Sequence, residues 1–372
     1  MAKLLMITGL GSAKDLASGK RGAFYNTLEE FHKYWERIDI ICPKIQNSKL
    51  KIFENVYIHI SPWPLVFHPI WFLKKGLEIY KQQKFDLMVV HEFPPFYNGI
   101  GARLLWQKIK IPYILEIMHI PGFPKSADFK EDLYKNLVKW FIKYDAKKAK
   151  KVRVINQKQT PDFLVDSGIN RNNIIYIPAM YIDLDVFHRT NVEKKYDFVF
   201  AARLEKNKGI GELLKAVVIL KNHKPDTKLL IIGNGQLKNK LIKFITDNKL
   251  SDNVFFSGWL ATSNDMAKAY SEARIFVNPS YNEGGPRVVL EAMACGLPII
   301  TTRVGLMPDV IDNGRNGLFV DWSGEDMAEK ISCLLKNKEL QNKFSQAGLE
   351  TVGQFERRST IKNYADKLKE LM

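Results

Sequence analysis

The chain has 372 residues and a mass of 42.9 kDa, with 46% hydrophobic and 26% charged residues. That balance excludes disorder as the main state and predicts two domains. Three isolated cysteines, Cys42, Cys295 and Cys333, exclude a disulfide scaffold or a cysteine zinc site and suit a reducing compartment. The formal net charge is +16, with 31 basic against 20 acidic residues over positions 1–200, 11 against 4 over 201–250, and 14 against 16 thereafter. Such a chain attracts anions: nucleic acid, acidic headgroups or phosphorylated substrates.

In chain order, the start is too briefly apolar for a signal sequence. Lys3–Thr8 reads as a first strand and Gly9-Leu10-Gly11 as the turn after it. Further strands are predicted at Asp39–Cys42, Val56–Ile60, Asp86–His91, Tyr113–Met118, Val152–Ile155 and Ile174–Ile177. Helices are predicted at Ala23–Tyr34, Ile70–Gln82, Tyr97–Lys108 and Glu131–Lys148. A polar stretch, Arg189–Tyr196, reads as a linker. The second half repeats the pattern, with strands at Phe198–Ala201, Lys228–Ile232, Val254–Phe256, Ile275–Val277, Pro298–Thr301 and Leu318–Val320. Its helices are Gly211–Lys221, Gln236–Asn248, Asn264–Glu272, Arg287–Ala294, Glu325–Lys336 and a last one over about Glu356–Leu371. Short apolar strands alternating with helices predict α/β architecture: two doubly wound, Rossmann-like domains, with ligand at the carboxyl ends of the strands in a cleft. The expected domains are 1–188 and 189–353, with a C-terminal helix, 354–372, that crosses back to the first.

The densest chemical signal runs from Asn278 to Pro298. A strand ends, Gly284-Gly285 makes a turn, and Pro286 reads as the first residue of a helix. The N–H groups at that helix start form an anion site. Glu283 precedes the helix and Glu291 lies on it, one turn past Arg287, so hydroxyls at one end of a ligand and phosphates at the other would both be served. The second signal is Phe200–Leu213, in which Arg203 can grip phosphate bidentately and Lys208 can add a point charge. A plain turn and a solvated basic loop are the bland readings.

The stretch Glu283-Gly284-Gly285-Pro286-Arg287-Val288-Val289-Leu290-Glu291-Ala292-Met293-Ala294-Cys295-Gly296-Leu297-Pro298 resembles the mark of retaining GT-B glycosyltransferases of family GT4, two glutamates with seven residues between them. Arg203 and Lys208, the Gly233-Asn234-Gly235 turn, Val304-Gly305 and Asn313-Gly314 follow the same family's order. The resemblance is close over about 196–322 and looser before it. There, Arg21-Gly22-Ala23 departs from the family's Gly-Gly, and Met118-His119-Ile120 lacks the usual following Asp. It implies a GT-B fold and a hexosyltransferase-type enzyme moving a sugar from a nucleotide-diphosphate sugar to a hydroxyl acceptor in cell-envelope glycan, polysaccharide or glycolipid synthesis. By the resemblance, Glu283 holds hydroxyls of the donor sugar and Glu291 the ribose. Arg203 and Lys208 neutralise the leaving diphosphate, helped by the backbone at Gly284, Gly285 and Arg287, while Gly233 and Gly22 sit beside the donor and His119 orients its sugar. It implies no cofactor and no metal, so Asp183-Leu184-Asp185 reads as part of a linker rather than a metal-binding pair.

Lys135, Lys139, Lys143 and Lys147 fall on one face of a helix and Leu133, Leu137, Trp140, Phe141 and Tyr144 on another. Packing of those aromatics into the domain core is the preferred reading, contact with an anionic membrane the second. Trp63–Lys75 is a similar stretch. The expected location is the cytoplasm, with peripheral contact at the inner face of the plasma membrane. Three other function classes stand beside the enzyme reading. A nucleic-acid-binding protein rests on charge alone, without a recognisable binding motif. A dinucleotide-dependent oxidoreductase lacks a clear G-x-G-x-x-G after the first strand. A catalytically inactive protein could share the same fold.

Overall fold

The structure is a computed structural model that describes residues 2–9, 16, 22–44, 51–94 and 96–372. Arg21 and part of the Gly9–Gly11 turn lie outside the described residues. Two compact units emerge. The first comprises Met1–Ile120, Tyr134–Ala179 and Arg358–Met372; the second comprises Pro121–Leu133 and Met180–Arg357. The division falls at 179/180 rather than in the polar stretch 189–196. That stretch is fastened to the second unit: Thr190 Oγ1 donates to Ser271 Oγ at 2.8 Å, Lys194 Nζ to Ser271 O at 2.7 Å, and Lys195 N to Glu272 O at 2.8 Å.

The first unit holds β1 (Lys3–Ile7), β2 (Arg37–Cys42), β3 (Lys51–Ile52), β4 (Val56–Ile60), β5 (Leu87–Glu92), β6 (Tyr113–Ile117), β7 (Lys151–Val154) and β8 (Ile174–Tyr176). They pair in the order β3-β4-β2-β1-β5-β6-β7-β8, and only β3 is antiparallel to its neighbour. Leu4–Ile7 of β1 and Leu87–Val90 of β5, at the centre of the sheet, are buried and apolar because helices cover both faces.

The carboxylate of Glu116 on β6 is fully buried. Arg153 NH1 on β7 and the Tyr364 hydroxyl of the last helix (2.7 Å) donate to its Oε1, and His91 Nε2 lies 2.5 Å from its Oε2. Arg153 also donates to Ile177 O at 3.1 Å and Pro178 O at 2.9 Å, which fixes the chain where the first unit ends. The last helix, Arg357–Lys369, is further held by Tyr364 stacking on Phe31, with centroids 4.8 Å apart.

The second unit holds β9 (Tyr196–Ala201), β10 (Leu229–Ile232), β11 (Val254–Gly258), β12 (Ala273–Asn278), β13 (Ile299–Thr301) and β14 (Gly317–Phe319). All pair in parallel, in the order β11-β10-β9-β12-β13-β14. The chain winds outward from β9 to β11, then restarts at β12 and winds the other way. The β9/β12 boundary is therefore a topological switch point, where loops leave in opposite directions and open a crevice at the carboxyl ends. One apolar cluster fills each face, one around Val289, Met293 and Phe276, the other around Leu213, Val217 and Phe344.

Among the described residues, three α-helices appear beyond those read from sequence: Gln159–Asp166, Met307–Val310 and Lys338–Val352. The last is capped by Asn337, whose Oδ1 accepts from Leu340 N at 2.9 Å. It buries Gln341, Ser345 and Gly348 beside Phe344 and Val352, so its core face is too polar for a clear 3.6-residue pattern.

The aromatic stripe reverses the preferred expectation. Along the Phe129–Ala146 helix, Val138 and Ile142 are buried, whereas Leu133, Leu137, Trp140 and Tyr144 are exposed, Trp140 by 73%. The helix is apolar on two opposite faces and uses only one for the core. Of the stripe, Phe141 is half-buried and stacks on Phe96 at 4.9 Å. In Trp63–Lys75, Trp71 and Phe72 pack inward while Val66, Phe67 and Ile70 face water.

Burial pushes the Glu116 carboxyl up, but Arg153 and His91 outweigh it and hold its pKa at about 2, against an ordinary 4.5. The ion pair therefore stabilises the fold fully above pH 4.5 and loses that contribution as pH falls toward 2. Glu116→Gln leaves the Arg153 guanidinium buried and unpaired, and is expected to cost about 3–5 kcal/mol at pH 7. In denaturant unfolding the gap between variant and wild type should narrow below pH 4.5; a gap independent of pH would contradict this account.

Candidate active site

β9 and β12 each end in a loop carrying one of the expected charged residues. After β9 the chain turns through Lys206–Lys208, and Gly209 caps the Ile210–His223 helix with φ +66°. A Cβ at Gly209 would overlap the carbonyl of Pro279 in the β12 loop, so the two loops meet only because this residue has no side chain. The contact places Lys208 Nζ on Glu283 Oε1, with side chains only 11% and 17% exposed. Ser280 Oγ lies 3.0 Å from both Glu283 Oε1 and Asn278 Oδ1, so its single proton serves one of them at a time.

The backbone behind Glu283 is held from several sides. Ser280 O accepts from Thr302 Oγ1 at 2.6 Å and Trp322 Nε1 at 2.8 Å, and Gly284 O from Leu306 N at 2.9 Å. Gly305, at φ +52°, lies against the Glu283 and Gly284 carbonyls, and a Cβ there would overlap the latter. Gly285 faces Met180, whose Cγ would be 2.9 Å from an added Cβ. Pro286 is the cap of the following helix rather than its first residue; Arg287 begins it. The guanidinium of Arg287 lies 4.6 Å from the Tyr181 ring centroid.

One turn on, Glu291 Oε2 accepts from Tyr270 OH at 3.1 Å. Burial raises the Glu291 pKa, opposed by Arg287 and by the Tyr270 hydrogen bond. Tyr270 is wholly buried on a neighbouring helix and nothing in the local sequence marks it. Arg203 shares the β9 loop with Lys208 but is 65% exposed and pairs with Glu205 at 2.9 Å. Gly233, at φ +131°, brings the β10 loop against Ala202 O, where a Cβ would overlap, and so supports the Arg203 turn through backbone approach.

The segment Pro121–Leu133 also belongs to this unit. Asn282 Nδ2 donates to Lys125 O at 2.9 Å and Glu131 Oε2 at 2.7 Å, and Lys206 pairs with Asp128 at 3.2 Å. Lys125 Nζ lies 5.0 Å from the ring centroids of both Tyr281 and Trp322. Sequence reasoning missed this clasp because its partners are at least 78 residues apart.

His119 and Gly22 belong to the first unit. His119 is half-buried just beyond β6, and Gly22 caps the Ala23–Phe31 helix in an extended conformation. His91 and Glu92 end β5 in structural roles, His91 on Glu116 and Glu92 accepting from Phe93 N at 3.1 Å and Gly99 N at 2.5 Å. Asp183 and Asp185 form a turn in which Asp185 N donates to Asp183 Oδ1 at 3.2 Å.

Residues 183–351 match the family model for glycosyl transferases group 1. Over 306 residues the chain is 28% identical to an uncharacterized glycosyltransferase of Methanocaldococcus jannaschii, covering 80% of each. Its fold is shared with sucrose-phosphate synthase from Thermosynechococcus elongatus, at TM-score 0.82 and 18% identity over 100% of this chain and 99% of the other. It is shared too with Anabaena HepE in complex with UDP-glucose, at TM-score 0.76 and 15% identity over the whole of both chains. The chain has the GT-B fold, two α/β units each built on a mostly parallel sheet.

The close approach at Gly305 makes a sharp test. Gly305→Ala introduces both left-handed strain and overlap behind Glu283, whereas Gly314→Ala, at φ +83° with open space around it, introduces strain alone, about 1–2 kcal/mol. Gly305→Ala should therefore lower the melting temperature by more than Gly314→Ala does; equal melting temperatures for the two variants would contradict the close approach.

Proposed function

We propose that the protein is a retaining glycosyltransferase that moves a sugar from a nucleotide-diphosphate sugar to a hydroxyl acceptor. The observation that carries this reading is the Lys208–Glu283 pair at the switch point, beside the start of the Arg287–Ala294 helix. Departure of a nucleoside diphosphate builds negative charge on its terminal phosphate. A fixed ammonium, a guanidinium and the free N–H groups of a helix start stabilise that charge more than the ground state, which is what lowers a barrier. Lys208 is held in place before donor arrives. The phosphate then competes with Glu283 for its ammonium, which leaves the carboxylate oxygens to accept from donor-sugar hydroxyls. Glu291 accepts from the ribose, and Arg203, exposed and held only by Glu205, swings onto the diphosphate. His119 orients the sugar. Attack on the same face as the departing phosphate, with that phosphate taking the acceptor proton, accounts for retention without an enzymic nucleophile.

A nucleotide-release assay across UDP-, GDP- and ADP-sugars tests the reading. One donor should be turned over by the wild type, with losses of at least a hundredfold for Glu283→Ala and tenfold or more for Arg203→Ala. Folded protein that neither binds nor cleaves any of them would overturn it.

The acceptor is proposed to be a membrane-borne glycan or lipid in cell-envelope synthesis, reached from the cytoplasmic face. No described helix is long and apolar enough to cross a membrane. The exposed stripe Leu133, Leu137, Trp140 and Tyr144, flanked by Lys135, Lys139, Lys143 and Lys147, has the composition of a helix that lies in a headgroup layer. Trp140→Ala combined with Leu137→Ser should reduce sedimentation with phosphatidylglycerol vesicles several-fold. Both residues are exposed, so stability should move by no more than about 0.5 kcal/mol each. Equal sedimentation of variant and wild type would remove this surface from the mechanism.

A further inference from the structure

At the opposite end of the second unit's strands, where β12 and β13 begin, lies a cleft of about 620 Å3. Its walls come from the polar stretch after Phe187, the start of β12, the turn between the Arg287–Ala294 helix and β13, and the first two turns of the Lys338–Val352 helix. Four cations line it, Arg189, Lys194, Arg274 and Lys338, and no carboxylate does. Elsewhere in this unit basic side chains are commonly paired, as in Lys195–Glu272, Lys224–Asp197 and Lys330–Asp326. Among the described residues the side chains of Arg189, Arg274 and Lys338 make no hydrogen bond or ion pair, and Lys194 donates only to the Ser271 carbonyl. Desolvation lowers the Lys194 pKa, and Arg189, Arg274 and Lys338 push it down further, opposed by Cys295.

The floor of the cleft adds a second, independent observation. Ser345 is 5% exposed, lines the cleft and has an Oγ with no hydrogen-bond partner. Gly296, at φ +78°, stands between Ser345 and Arg189. A Cβ there would come within 3.2 Å of Ser345 Oγ and 3.1 Å of Arg189 Cδ, so the missing side chain keeps the hydroxyl open to the cavity. A buried hydroxyl without a partner costs free energy unless something supplies one. Four clustered cations repel one another unless an anion sits among them. A volume of this size takes a small organic phosphate.

We propose that this cleft is a second anion site, distinct from the one at the carboxyl ends of β9 and β12, and that it binds a phosphate or diphosphate group. Ser345 Oγ donates one hydrogen bond to a phosphate oxygen at the floor, Arg189 and Arg274 present their planar forks to the others, and Lys194 and Lys338 supply point charges at the rim. Binding here transfers no group. Because the site lies where β12 begins and Glu283 lies beyond its carboxyl end, occupancy is compatible with donor binding.

Titration calorimetry of the full chain with inorganic pyrophosphate at fixed ionic strength tests this. Arg274→Gln with Lys338→Gln removes two cations whose side chains face water, so the fold should hold and melting temperatures should match. Arg203→Ala with Lys208→Ala removes the other anion site. Pyrophosphate binding should survive the second pair and weaken at least tenfold on adding the first. In the wild-type background, Ser345→Ala should weaken the same binding by a smaller factor. If the Arg203/Lys208 variant does not fold, the direct comparison of wild type with Arg274→Gln/Lys338→Gln decides. Identical isotherms for those two proteins would overturn the proposal, as would loss of all pyrophosphate binding in a folded Arg203/Lys208 variant. Phosphatidylglycerol vesicles then distinguish the source of the phosphate. Vesicle binding that falls with pyrophosphate binding in Arg274→Gln/Lys338→Gln assigns a lipid headgroup; vesicle binding that stays assigns a soluble phosphate ester.

Discussion

Lys208 and Glu283 are 75 residues apart in the chain and share a hydrogen-bonded ion pair largely withdrawn from water. Such a pair repays its desolvation only when its geometry is fixed and its remaining lone pairs are engaged. The second unit meets both conditions. The parallel register of β9 with β12 brings the two loops side by side, and Gly209 lets their backbones touch. Gly305, Thr302 and Trp322 then immobilise the stretch around Glu283, and Ser280 covers its Oε1. The site is thus rigid where charge must be placed and loose at Arg203, which has a partner only two residues away.

The first unit uses a buried ion pair differently. Glu116 and Arg153 are on neighbouring strands, closed over by Tyr364, and Arg153 grips the two carbonyls at the end of the unit. Here the charge network ties β6, β7 and the last helix together. The two buried pairs therefore differ in setting: the guanidinium of one is engaged on every side within the core, and the other stands in the β12 loop just before a helix start.

Much of the second unit was legible in the chain because its instructions are local. Proline and glycine around 284–286, two glutamates with seven residues between them and a strand ending in Arg-x4-Lys each act within a few residues of where they stand. The linker and the aromatic stripe were harder. A polar run such as 189–196 looks like a connector, yet Ser271 and Glu272 hold it against the second unit. A helix with two apolar faces does not announce which one is covered; the fold covers Val138 and Ile142 and leaves Trp140 outside.

The sequence alone determined the alternation of elements, the two-unit α/β class, the excess of positive charge and the residue types available for phosphate and hydroxyl recognition. These follow from periodicity and from the conformational limits of single residues. Tertiary structure decided which charges are paired and which are left open. Lys208 and Arg203 are both basic residues in one loop, but only Lys208 meets a carboxylate out of water. The four cations around Ser345 come from three separate stretches of chain. Coulomb energy depends on distance and on the surrounding dielectric, and both are properties of the folded arrangement rather than of the order of residues.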